Sequence, residues 1–172
     1  MTIHSFFCIG EAIHTSRLFR TDGPHLARDE HGRPSLILPS GTGKAGLLPI
    51  PRPFQASSDW NQGRVKPCAV AIWQGLHGDA AGRAAGIAYL QGLARLQHAQ
   101  GAACLDVNVD AFSADLDARI RAMTWTVDIV QQAVRLPIGI DSSNGDILEA
   151  GLAACDPARC RPLVNSVSLE RQ

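Results

Sequence analysis

The sequence predicts an α/β fold in which parallel strands alternate with helices. Three short apolar runs carry that prediction, and each ends in an amide or a carboxylate. They are Leu105-Asp106-Val107-Asn108, Ile138-Gly139-Ile140-Asp141 and Leu163-Val164-Asn165. The intervals from Asn108 to Ile138 and from Asp141 to Val164 are long enough to hold crossover helices. In parallel sheets, ligands bind beyond the downstream ends of the strands. A carboxylate buried there without partners is costly, so the repeated layout points to a ligand mouth.

The elements follow in order. Phe6 to Ile13 begins as an apolar run and predicts a first strand ending near Gly10 or Glu11. From residue 20 to residue 66 the chain is rich in Pro, Gly and Ser and shows no sustained periodicity. This stretch is expected to be an insertion serving as a lid, a docking surface or a disordered segment. Val65 to Leu76 turns apolar again and predicts a short strand. Asp79 is the expected N-cap of a helix that runs to Gln100, with Gly101 as its stop. Ile87, Leu90 and Ala94 recur at helical spacing along it.

Ala103 to Val109 is the second strand of the repeat. Leu116, Ile120, Met123, Val127, Val130 and Val134 step by four and three residues, the signature of one buried helical face. Pro137 ends that helix, and Ile138 to Asp141 is the third strand. Asn144 is the expected cap of a short helix reaching Cys155. Pro162 to Leu169 is the fourth strand.

Four strands make half of an eight-stranded barrel, whose full form usually takes about 250 residues. The alternatives are a small open α/β sheet and the N-terminal half of a (β/α)8 TIM barrel. Either way residues 1–172 are expected to form a single, partial domain that carries the 20–66 insertion.

Composition narrows the function classes. The formal net charge is zero and aromatic residues make up 5% of the chain, which argues against a nucleic-acid partner. No run approaches the roughly 20 apolar residues of a membrane span. Cys8, Cys68, Cys104, Cys155 and Cys160 are odd in number and fit reduced thiols and a cytoplasmic location. The six histidines lack metal-ligand spacing, and Cys155 and Cys160 lack a second ligand pair, so no metal is expected. Gly41-Thr42-Gly43-Lys44 imitates a phosphate loop. Leu38 stands where its first Gly belongs and Ala45 where Ser or Thr belongs.

The strand-end polar set remains: Glu11, Asp106, Asn108, Asp141, Ser142, Ser143, Asn144 and Asn165. Such residues also serve as caps and turn formers, a role that suits Ser143 and Asn144 in particular. A carboxylate beside an amide suits a flat heterocycle with adjacent donors and acceptors. The carboxylate accepts two parallel N–H bonds, and the amide both donates and accepts.

Several segments also fall in a recognisable order: Ile9-Gly10-Glu11-Ala12-Ile13, Leu105-Asp106-Val107-Asn108-Val109, Met123-Thr124-Trp125 and Ile140-Asp141-Ser142-Ser143-Asn144. Glu149-Ala150-Gly151-Leu152 and Val164-Asn165-Ser166-Val167-Ser168 complete the set. Together they resemble the pterin-binding barrels, namely the methyltetrahydrofolate-dependent corrinoid methyltransferases and, more distantly, the dihydropteroate synthases. The likeness spans about residues 6–17 and 79–170.

The resemblance implies a barrel with the pterin in its mouth. Asp141 would hold the amino-pyrimidine edge, Asn165 would contact the ring, and Asp106 and Asn108 would line the site. Glu11, Ser143 and Asn144 are weaker candidates. It further implies methyltetrahydrofolate as substrate and a corrinoid (cobalamin) on a partner protein as methyl acceptor. Alternatives are a dihydropteroate synthase-like enzyme and a non-catalytic pterin-binding remnant in which two chains pair as a homodimer to restore eight strands. The chain departs from the family at His14, where methyltransferases often have Asn. It also lacks any counterpart of their fifth to eighth strands.

Overall fold

The computed structural model describes residues 7–39, 46–159 and 161–165. At its centre is a four-stranded parallel sheet built from β1 (Ile9–His14), β7 (Cys104–Asn108), β8 (Ile138–Asp141) and β9 (Leu163–Asn165), adjacent in that order. Helix α4 (Ala80–Ala99) precedes β7, α5 (Leu116–Ala133) joins β7 to β8, and α6 (Gly145–Ala154) joins β8 to β9. This is the layout of four consecutive strands of a (β/α)8 barrel.

Alternation along the strands sorts side chains between two faces. Ile13, Leu105, Val107, Ile138 and Ile140 are buried in one core with Leu90, Ala94, Met123, Val127 and Ile147 from the helices. The alternate positions, among them Asp106, Asn108 and Asp141, project from the opposite face. Three helices start at polar caps that the sequence displays. Asp79 accepts from the Gly82 N–H, Asp115 from Ala118, and Asn144 from both Asp146 and Ile147.

The first strand runs further than the sequence predicts, to His14. A bulge at Glu11-Ala12 opposes two residues of β1 to Asp106 alone, so pairing resumes at Ile13–Val107 and His14–Asn108. The bulge leaves backbone groups off the ladder, and helix side chains satisfy them. Gln97 Oε1 accepts from the Ala12 N–H at 2.8 Å, and the Cys68 thiol donates to the Ala12 carbonyl at 3.4 Å.

The 65–76 segment is a correction. Only Arg64–Val65 is extended (β6), paired with β2 (Phe19–Arg20), and α3 (Pro67–His77) follows. Pro67 opens its first turn, where a missing N–H costs nothing. The helix is buried almost all round, which erases the periodicity that marks a surface helix.

The 20–66 stretch, expected to be an insertion serving as a lid, a docking surface or a disordered segment, is folded where it is described. β3 (Leu26–Arg28), β4 (Pro34–Ile37) and β5 (Leu47–Pro49) form an antiparallel sheet. Two single-turn helices follow, α1 (Arg52–Gln55) and α2 (Ser58–Asn61). Leu36 and Leu48 are fully buried. Gly92 of α4 lets the Pro39 carbonyl approach so closely that a Cβ there would lie 2.3 Å from the oxygen. Gln74 Nε2 donates to the Pro49 carbonyl at 2.8 Å, which ties the segment to α3. The phosphate-loop-like residues 41–44 lie outside the described residues, as does the end of the expected fourth strand beyond Asn165.

Candidate functional site

Parallel pairing sets His14 opposite Asn108, Asn108 opposite Asp141, and Asp141 opposite Asn165. Four polar side chains therefore form one row across the downstream end of the sheet. Asp106 sits one rung deeper on the same face as Asn108, opposite Gly139. Its side chain is only 5% exposed and meets His14 Nε2 at 2.8 Å. A Cβ on Gly139 would lie 2.6 Å from Asp106 Oδ1, so only glycine leaves the carboxylate room beside β8.

Asn108 Nδ2 donates to Asp141 Oδ2 at 2.9 Å. Its Oδ1 accepts from the Asp110 N–H at 3.0 Å, which fixes which end of the amide faces Asp141. His14 Nε2 lies 3.9 Å from Asp141 Oδ2. Burial raises the Asp141 carboxyl above its ordinary range. The bond from Asn108 opposes that rise, the charges of Asp106 and Asp110 add to it, and His14 opposes it. The result is a carboxylate eager for hydrogen-bond donors at the mouth of the sheet.

The rim is held by Asp110, a residue the sequence reading does not single out. Its carboxylate accepts from Ser142 Oγ at 2.6 Å, from Ser143 N at 2.9 Å and from Ser143 Oγ at 3.0 Å. Burial alone would raise its carboxyl, but those bonds and the nearby Arg119 charge hold it below the usual range. Thr15 Oγ1 accepts from the Ala111 N–H, and the Ser142 N–H donates to the Asn165 carbonyl. The loops beyond β1, β7 and β8 are thereby stitched together around the row.

The expected site residues thus separate. Asp106, Asn108, Asp141 and Asn165 come together. Asn165 is exposed, and its side chain has no hydrogen bond among the described residues. Asn144 commits its side-chain oxygen to capping α6, and Ser143 serves the Asp110 brace. Glu11 lies exposed in the β1 bulge, away from the row. His14, which the sequence places near a strand end and marks as a departure from the family but not as a site residue, is a central member. The signal for it was the strand-end position, obscured because the bulge hides where β1 stops.

The model of a family described as pterin binding enzyme matches residues 87–172, half of the chain. The chain belongs to this family. All four row-and-rung residues of β7, β8 and β9 fall inside the match, whereas His14 and the β2–β6 segment precede it. Membership of this family implies a pterin as the small-molecule ligand. No helix among the described residues is long and apolar enough to cross a membrane. His14, Asp106 and Asp141 also present ligand atoms all within 4.8 Å of one another, a grouping able to hold a metal ion, although histidine spacing in the sequence predicts none.

Proposed function

We propose that the chain binds methyltetrahydrofolate and forms the N-terminal part of a methyltransferase that passes the N5-methyl group to a corrinoid protein. The observation that supports this reading is the register row Asn108–Asp141–Asn165. It puts a carboxylate between two amides on one face, matched to the alternating donors and acceptors of a pterin edge. Asp141 accepts from the amino-pyrimidine N–H groups through the oxygen not already bonded to Asn108. Asn165, whose side chain makes no hydrogen bond among the described residues, reads the adjoining ring atoms. Asp106 lies beneath and holds its position through His14.

In this reading the corrinoid partner supplies the methyl acceptor, and the residues of this chain bind and orient the folate. The N5 amine is a poor leaving group, so hydrogen bonding at N5 assists cleavage of its bond to the methyl carbon. The Asp141-Ser142-Ser143-Asn144 run that begins at the end of β8 and the Asn165-Ser166 pair that begins at the end of β9 favour the methyltransferase reading over a dihydropteroate synthase-like one.

Fluorescence titration with methyltetrahydrofolate tests the site. Wild type is expected to saturate, and Asp141→Ala to weaken binding tenfold or more; unchanged affinity removes Asp141 from the site. Assays of the longest reading frame containing the chain then separate the reactions. Methyl transfer to cob(I)alamin supports the methyltransferase. Pteroate formation supports the synthase, and binding without either product supports a non-catalytic pterin-binding protein.

A further inference from the structure

We propose that His14, Asp106 and Asp141 form a binding site for one divalent first-row transition-metal ion. Three different strands deliver the three groups. His14 ends β1, Asp106 lies in β7, and Asp141 ends β8. Their ligand atoms lie within 4.8 Å of one another, with His14 Nε2 2.8 Å from Asp106 Oδ2 and 3.9 Å from Asp141 Oδ2. Metal–ligand bonds of about 2.1 Å set ligand–ligand edges of about 3.0–3.4 Å. The two measured separations bracket that range, so small side-chain rotations bring both edges to it.

Charge supplies the second argument. Two carboxylates converge, one of them almost wholly buried, and a third, Asp110, adds to the field at Asp141. Among the described residues no Lys or Arg pairs with Asp106 or Asp141, and His14 is their one basic neighbour. Crowding like charges without a compensating cation is costly. A dication balances two carboxylates when His14 binds as neutral imidazole.

The donor set selects the class of ion. One imidazole nitrogen and two carboxylate oxygens suit zinc, manganese or iron(II). They are too few oxygens for calcium and include no soft sulfur. Asn108 Nδ2 donates to Asp141 Oδ2, the same oxygen that faces His14, and so orients the carboxylate toward the cluster, as outer partners of metal ligands do. Side-chain exposures of 18% for His14 and 22% for Asp141 leave the outward coordination positions to water or an incoming ligand.

The full chain, stripped with a chelator, is titrated with Co2+ followed by its visible spectrum and with Zn2+ by calorimetry, both without folate. One equivalent is expected, with cobalt d–d bands and no thiolate charge-transfer band. His14→Ala and Asp141→Asn should each weaken binding at least tenfold while circular dichroism reports the fold intact. Asp141→Asn changes no side-chain volume, so it remains informative if His14→Ala unfolds. Absence of saturable binding, a thiolate band, or wild-type affinity in the variants overturns the proposal. Methyltetrahydrofolate binding measured in chelator is a separate readout, so failure of the metal site and failure of the pterin reading are told apart.

Discussion

Asn108 and Asp141 are 33 positions apart in sequence, yet their side chains meet at 2.9 Å because parallel pairing makes them neighbours in register. The bond orients the carboxylate at the mouth and lowers the cost of ionising it. Replacing Asn108 with Ala removes a hydrogen bond to a charged group, an effect of about 1.5–3 kcal/mol. Methyltetrahydrofolate affinity measured at neutral pH should fall roughly tenfold to a hundredfold.

Asp141→Asn should separate stability from function. Burial raises the carboxyl of Asp141 in the folded chain, so ionising it at neutral pH opposes folding. That penalty is present above the raised folded value and fades as pH falls through it. The amide variant should therefore melt at or above the wild-type temperature at pH 7 in calorimetry, while its pterin affinity drops tenfold or more. A clear fall in melting temperature contradicts this account.

His14→Ala leaves the Asp106 carboxylate buried without its partner. Losing a hydrogen bond to a buried charged group typically costs about 1.5–3 kcal/mol. Chemical denaturation of the metal-free variant should show a loss of that size. Adding Asp106→Asn to it should recover much of that loss, since a neutral amide needs less compensation.

Asp110 gives the acid limb a defined sign. Its folded carboxyl lies below the ordinary value, so the stability it contributes is complete above the unfolded value near pH 4. It is lost as pH falls from there through the lower folded value. Asp110→Asn should flatten the pH dependence of urea midpoints over that interval and loosen the Ser142-Ser143 loop, read as faster amide exchange at Ser143.

Two glycines mark close approaches that tolerate no side chain. Gly75→Ala would put its Cβ 2.1 Å from the Trp125 ring, and Gly139→Ala would put it 2.6 Å from Asp106 Oδ1. Overpacking of this kind costs about 1–3 kcal/mol. Only the Gly139 change should also reduce pterin affinity, because only it displaces a site carboxylate.

Helices α4, α5 and α6 and the last three strands were legible because each carries a local signal. Asp79 and Asn144 cap, Met123 to Val130 show the helical period, and Pro137 interrupts. The internal structure of the 20–66 stretch was not legible. Its strands of two to four residues are too short to display a period, and Leu36 and Leu48 are recognisable as core only once they pack. Helix α3 misled for the opposite reason: burial on all sides left an apolar run that a short strand would also show.

The amino-acid order alone determined the repeating βα layout and placed Asp106, Asn108, Asp141 and Asn165 at strand ends, since period and strand-end polarity are local properties. What those residues meet was decided by tertiary structure. The β1 bulge shifts register by one residue and turns His14 onto the face of Asp106. The β7 loop swings Asp110 under Ser142 and Ser143. Both outcomes depend on hydrogen bonds between segments tens of residues apart, and no local pattern encodes such a distance.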